Sequence, residues 1–378
     1  MTAKQGAHDH DRILFLTTCL LLAIGLVMIF SASFVVAAEE TGDPYYFLKR
    51  QVVWSILGII GLVIFSNIHY LVLKRLSLVI LLANFILLSL VFTPLGTNLG
   101  TEASRWIAMG PVVLQPAEFS KLAFVIFTAA YMSSRRLNIR HTWTATILPL
   151  FIAFAAFVLI QLQPDLGTAI VVLSGSLLIV FCAGVPVIKA ASLSLLTMIP
   201  VAWMTMLEEY RMKRIFTFID PWADPSGSGY QIIQSLYALG PGHIFGSGLG
   251  RSRQKLFYLP EPHNDFIFAV IGEELGFIGT VTVLLLYLVL IWRGVQISLR
   301  APDLFGSLLA AGIIFVFGFQ ALVNIAVVTA SLPVTGINLP LISAGGSSVF
   351  FTLISIGVLL NISKHARVES STEGGGLR

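Results

Sequence analysis

The sequence predicts an all-α fold of the polytopic membrane kind, with ten transmembrane helices and one large extracytoplasmic loop between the seventh and the eighth. Three observations carry this. Of the 378 residues, 56% are hydrophobic and only 11% are charged, where soluble domains carry about 25%. The mean hydropathy is +0.89, too apolar for the chain to cover itself with polar groups in water. The apolar residues also fall in blocks near the length of about 20 that carries a helix across a bilayer. Within lipid such blocks must be helical, since nothing there satisfies open backbone groups.

The blocks follow in order. A polar segment, residues 1–12, precedes the first apolar run, 13–37. That run lacks a small-residue cleavage site and reads as a retained helix rather than a cleaved signal peptide. The others are 51–67, 72–93, 118–133, 144–162, 167–184, 188–207, 266–292, 305–331 and 342–362, which makes 13–362 one membrane domain. Pro149, Pro186, Pro200 and Pro333 lie inside or beside these runs and predict kinks or breaks. With a cytoplasmic N-terminus, the inside connections hold Lys74, Arg75, Arg135, Arg136, Arg140, Lys189, Arg293, Arg300, Lys364 and Arg367. The outside holds the acidic EETGDPYY, the short QPDLG turn and the uncharged stretch 332–341, the bias expected of a membrane protein. An even count returns the C-terminus to the cytoplasm, where the polar, glycine-rich tail 363–378 is expected to be disordered. Cys19 and Cys182 sit in apolar runs and are expected to be buried packing residues, not a disulfide. No nucleic-acid-binding pattern is present.

Two outside loops are longer. One is 94–117. The other, 208–265, carries Arg211, Lys213, Arg214, Arg251, Arg253 and Lys255. Loops of this length largely escape the charge rule, so these cations need another reason to exist. Ionisable residues in or beside a membrane segment are costly and mark function by default. They are Glu118 and Lys121 at the outer start of the fourth segment, Asp165 in QPDLG, Asp265 at the end of PEPHND, and Glu273 and Glu274 about two turns into the eighth. Most fall at one level, the outer membrane boundary, where SRW (104–106) and GRSRQK (250–255) also lie. Such a layer suits a substrate with a lipid tail and a diphosphate head. Arg253 and Lys255 would bind the diphosphate, Arg as a planar fork and Lys as a point charge. A single carboxylate would take the proton of an attacking sugar hydroxyl, and spare carboxylates could hold a divalent cation of the Mg or Mn kind. No organic cofactor is expected.

Each feature has a plainer reading. Glu118 and Lys121, three apart, form an intrahelical ion pair in that reading. Asp165 caps the sixth helix. One of Glu273 and Glu274 pairs with an Arg or Lys. Arg211, Lys213 and Arg214 snorkel at a helix end, Trp106 is an interfacial tryptophan, and Asp220 and Asp224 are turn residues beside proline. His243 and His263 lack metal-ligand spacing. In SAGGSS, backbone N–H groups around Ser343, Gly345 and Gly346 either face an anion at a helix start or let helices pack closely.

The same stretches resemble the shape, elongation, division and sporulation (SEDS) family of cell-wall polymerases. They are ASRWI (103–107), QPAEFSK (115–121), QPDLGTA (163–169), DPWADPSGSGYQIIQSLYALG (220–240), GSGLGRSRQKLFYLPEPHNDFIFAVIGEELGFIG (246–279) and TGINLPLISAGGSS (335–348). The resemblance implies ten helices in the bacterial cytoplasmic membrane, both termini inside and an active site outside. It implies an inverting glycosyltransferase that joins lipid II disaccharide-pentapeptide units to a lipid-linked strand, beside a class B penicillin-binding protein. The family's essential acid falls on Asp265, as general base, and its polar cavity on Arg105, Trp106, Glu118, Lys121 and Asp165. The motifs stand closer to the division and sporulation branches than to the elongation branch. Asn264, Ala344 and Ala117 depart from the usual pattern without removing a catalytic group. Two other functions are to be weighed: a lipid II flippase, which should carry polar groups through the midplane, and a scaffold recruiting a penicillin-binding protein, which would not need Asp265.

Overall fold

The computed structural model describes residues 11–98, 104–110, 112–134, 143–206, 208–256 and 258–366. Ten helices of 17 residues or more fall where the ten apolar blocks lie: α1 (Arg12–Thr41), α2 (Tyr46–Asn67), α3 (Leu71–Leu90), α4 (Pro116–Met132), α5 (Thr144–Gln161), α6 (Leu166–Cys182), α7 (Val187–Met206), α10 (Ile267–Arg300), α11 (Leu304–Val328) and α12 (Gly346–Lys364). Two shorter helices, α8 (Glu209–Ile219) and α9 (Tyr230–Leu239), lie in the long loop between α7 and α10. Among the described residues, seven helices are long and apolar enough to cross a membrane by length and composition, and α5 and α6 are shorter apolar helices. The chain is a multi-pass membrane protein. Residues 1–10 and 367–378, and the basic stretch with Arg135, Arg136 and Arg140, lie outside the described residues.

Caps set several helix ends. Asp11 Oδ1 accepts from Leu14 N and starts α1. Asp165 Oδ1 accepts from Thr168 N and starts α6. Pro116 opens α4, where its missing N–H is no loss. The closest packing is of α12 on α2, α10 on α11, and α4 on α3 and α6. Of the seven candidate spans, α11 and α12 are the most enclosed and α7 the least, so α11 and α12 form the interior wall on which the loops assemble. The inward side of α1 meets the segment that joins α11 to α12 through Gly25, where a Cβ would stand 2.5 Å from the Leu341 carbonyl oxygen. Gly25→Ala is expected to destabilise the protein by about 1–3 kcal/mol, since the neighbour is backbone and cannot turn aside. Thermal unfolding in detergent measures this.

Three features differ from the sequence expectation. The 94–117 loop is not irregular: β1 (Gly96–Thr97), β2 (Trp106–Met109) and β3 (Val112–Leu114) form a small antiparallel sheet in the order β1-β2-β3. Trp106 and Ile107 of SRWI become strand, Trp106 pairing with Thr97 and Ile107 with Leu114. Cys19 and Cys182 are free and exposed on the bundle's exterior. Spanning helices present apolar side chains to lipid, so an apolar neighbourhood in sequence does not mean burial in protein.

The third difference is in α10, which is interrupted at Gly276 (φ 66). The glycine-rich loop closes the gap: Ser247 N and Gly248 N donate to the Glu273 and Glu274 carbonyls, and Phe277 N and Ile278 N donate to the His243 and Ile244 carbonyls. Groups orphaned by the break are thus satisfied by protein. Glu273 and Glu274 stand in the short first part of α10, ahead of its main span.

Candidate active site

Asp265 stands just before α10, at the end of a loop strapped to the 334–344 segment that connects α11 to α12. Three consecutive carbonyls make the strap. His263 O accepts from Ala344 N at 2.9 Å, Asn264 O from Ser343 Oγ at 2.7 Å, and Asp265 O from Asn324 Nδ2 at 2.8 Å. The Asp265 carboxyl lies beside Gly336, whose Cβ, if it had one, would stand 3.6 Å from Oδ2. The residue keeps some open surface, yet the protein around it is dense. Burial first, then the charges of Glu261 and Asp165, push the carboxyl up to about 6, against the pull of Arg214 and Arg105.

Those two cations come from distant parts of the chain. Arg105, just before β2, donates to the carbonyls of Gln163 (3.0 Å) and Pro164 (2.5 Å) and so grips the QPDLG turn. Arg214, on α8, donates to the Val334 carbonyl at 2.7 Å and lies 4.3 Å over the Tyr210 ring. Both are close enough to Asp265 to act on its charge. Sequence reasoning left Arg214 among residues snorkelling at a helix end. Its half-buried place near Asp265 depends on how α8 lies over the 334 segment, and the advance signal was the clustering of cations in the long loop.

Asp165 caps α6 and also accepts from Gln115 Nε2 at 3.1 Å. The capping reading holds, and the residue also belongs to the charge group around Asp265. Gln115 N in turn donates to Ser347 Oγ at 3.0 Å, which ties α4 to α12. Glu118 and Lys121 form a buried ion pair at 2.5 Å, and Lys121 Nζ donates to Gln320 Oε1 at 3.1 Å. Gln320 and Asn324 are four apart on α11, so they share one face. A polar stripe thus runs from Asp265 through Asn324 to Gln320 and Lys121. At its inner end lies a cavity of about 40 Å³ lined by Glu118, Lys121, Gln320 and residues of α10 and α12. Trp106 is half-buried in β2.

The remaining expected contacts stand elsewhere. Lys255 is buried and closes on Glu274 at 2.7 Å, with Ser31 Oγ at 3.1 Å. Its neighbour Ser252 bonds Glu273, and Arg253 N donates to the same carboxylate at 2.7 Å. Both glutamates therefore hold the 252–255 turn down, which is the pairing alternative for Glu273 and Glu274. The Arg253 side chain is exposed. Ser343 bonds backbone on both sides, accepting from Leu339 N at 2.8 Å besides its bond to Asn264. Gly345 N donates to Gln51 Oε1 at 3.2 Å, and a Cβ on Gly346 would strike the Trp54 indole at 2.2 Å. SAGGSS thus packs closely at its glycines and hydrogen-bonds the neighbouring loops through Ser343, Ala344 and Ser347. His263 packs 4.2 Å from Phe47, and burial pushes its imidazole down to about 4. Among the described residues no three His, Cys, Asp or Glu side chains converge as metal ligands.

A multi-pass helical membrane protein with one raised-pKa carboxylate, faced by two guanidiniums at the mouth of a polar stripe, is the class that fold and site define. The profile of the FTSW_RODA_SPOVE family, described as "Cell cycle protein", matches residues 11–368, and the chain belongs to that family. It is 45% identical over 368 residues to "Stage V sporulation protein E" of Bacillus subtilis, covering 97% of this chain and 100% of that one. It is 40% identical over 364 residues to "Probable peptidoglycan glycosyltransferase FtsW" of a Geobacter species, covering 96% and 99%. Among solved structures, a chain from work on "Structural coordination of polymerization and crosslinking by a peptidoglycan synthase complex" superposes with a TM-score of 0.75 at 31% identity, covering 94% of this chain and 97% of that one. The rod shape determining protein RodA of Thermus thermophilus gives 0.71 at 28%, covering 95% and 98%.

Proposed function

We propose that this chain is a peptidoglycan glycosyltransferase. It joins lipid II disaccharide-pentapeptide units to a lipid-linked growing strand at the outer face of the bacterial cytoplasmic membrane, in division or sporulation. The observation that carries the reading is Asp265, raised toward neutrality and flanked by Arg214 and Arg105. Its carboxylate takes the proton from the acceptor sugar hydroxyl as that oxygen attacks the donor's anomeric carbon. The bond to the diphosphate breaks with its electron pair leaving on phosphate, and configuration inverts. Arg214 and Arg105 stabilise that charge, while Trp106 offers a face for sugar. All ten long helices span, both termini lie inside, and the loop 208–265 faces outward. A class B penicillin-binding protein works beside the chain and supplies crosslinking, in keeping with the synthase complex among its structural neighbours.

The buried Glu118–Lys121–Gln320 group is the one observation that suits a flippase. Its cavity, about 40 Å³, holds roughly one to three waters, far short of a disaccharide, and Lys121 is already neutralised by Glu118. The deciding experiment reconstitutes the chain with its class B partner, transpeptidation blocked, and supplies labelled lipid II. A glycan ladder on a gel supports the polymerase. No ladder, with lipid II crossing the liposome membrane, sinks it in favour of transport.

A pH dependence follows. A general base works ionised, and Asp265 is ionised above about 6. Polymerisation measured as kcat/KM, with lipid II well below KM, is expected to be half-maximal near that pH, to fall about tenfold per unit below it, and to be flat above it until another group titrates. A rate constant down to pH 4.5 removes Asp265 as the titrating base.

A further inference from the structure

We infer that Asn324 is a positioning residue for this reaction: its amide holds the backbone of Asp265 against the segment 334–344 and so fixes where the base stands. The inference rests on the polymerase reading and adds a residue of α11 to it.

Asn324 is 1% exposed, inside the run ALVNIAVV of α11 and one turn after Gln320. Its Nδ2 donates to Asp265 O at 2.8 Å and to Ile337 O at 2.7 Å. One amide thus spends both hydrogens on two chain segments that must keep register. Its Oδ1 is buried with no partner. The side chain's polar work is therefore donation alone, and a buried acceptor is left unmet to obtain it, which ordinary packing would avoid.

The two segments are the two walls of the site. One carries Asp265. The other receives the Arg214 guanidinium at Val334 O and backs the Asp265 carboxyl at Gly336. Beside it, a Cβ on Gly167 would stand 3.0 Å from Thr335 O, which puts the Asp165 turn on the same wall. Ser343 repeats the device one residue earlier, at Asn264 O. The carboxylate's direction follows its backbone torsions, so the amide sets base and guanidinium in one frame. A misplacement near 1 Å costs about 100-fold in rate.

The chemistry dictates the variants. Asn324→Leu keeps the branched shape and the number of heavy atoms and removes both donors. Ser343→Ala removes the weaker strap. Reconstituted with the class B partner and supplied with lipid II, Asn324→Leu is expected to lower kcat about 10- to 100-fold, with KM for lipid II unchanged. Its acid limb should move below about 6, toward the ordinary carboxylate range near 4, because a slackened loop lets water reach Asp265. Ser343→Ala should shift the limb the same way by less. A purely structural role would lower the yield of folded protein and leave the acid limb where it is. A folded Asn324→Leu with the wild-type acid limb overturns the inference, whatever its kcat. Should Asn324→Leu fail to accumulate, Ser343→Ala decides alone: a wild-type limb there also overturns it. A wild-type protein that makes no glycan is a separate result and sinks the polymerase reading instead.

Discussion

Asp265→Asn is expected to abolish glycan polymerisation, by about 100- to 10,000-fold, while leaving the protein folded. The substitution keeps shape and removes only the base. The strap to Asn264 and His263 runs through backbone carbonyls, and Asn324 meets the carbonyl of residue 265 rather than its carboxyl, so the loop has no reason to move. Stability should not fall either. Burial, Glu261 and Asp165 all disfavour the Asp265 carboxylate, and only Arg214 and Arg105 favour it; a neutral amide is relieved of the first three. The expected result is a protein with wild-type thermal unfolding, unchanged co-purification with the proposed class B penicillin-binding protein, and no ladder from labelled lipid II. Trp106→Ala, by contrast, should slow turnover by less, since a ring that only positions sugar leaves the base in place. Equal ladders from wild type and Asp265→Asn would mean that the proton goes elsewhere, and would falsify the assignment of the base.

The membrane fold was legible because lipid leaves a chain few options. Ten apolar blocks could only be helices, and the ten long helices lie over them. Asp265 drew attention for a related reason, since an ionisable residue beside a membrane segment is costly, and the family resemblance placed the proposed base on it. What escaped the sequence depends on direction. Arg214 and Lys213 are adjacent and both cationic, yet one is half-buried and close enough to Asp265 to act on its charge and the other is exposed. Only the lie of α8 separates them. The break at Gly276 sits in LGFIG, an apolar run that reads as continuous helix, and becomes visible only when the 243–248 loop is seen closing it. Asn324 is uncharged and surrounded by apolar residues, so its function lies in the two carbonyls it reaches, neither of them near it in sequence. Cysteine burial failed differently: in a spanning helix, apolar company means lipid as readily as protein.

Lys255→Met is expected to destabilise the protein by about 3–5 kcal/mol, the range for breaking a buried ion pair, and to leave lipid II affinity alone. Sequence position puts Lys255 in GRSRQK, beside exposed arginines, where a cation for the substrate's diphosphate is the natural expectation. The geometry sets another task. Lys255 and Glu274 are 6% and 0% exposed as side chains, 2.7 Å apart. Methionine would leave Glu274 with only Ser31 Oγ and the Ser252 N–H as donors, a buried carboxylate short of a countercharge. The same cluster holds the 252–255 turn to the first part of α10, two turns after Asp265. The loss should therefore show as earlier thermal unfolding and faster proteolysis between 246 and 258. Glu274→Gln in the Lys255→Met background should recover part of the stability, because it removes the stranded charge; the double-mutant cycle measures the coupling directly. Unchanged unfolding with a raised KM for lipid II would return Lys255 to the diphosphate and leave Glu274 without the role given to it here.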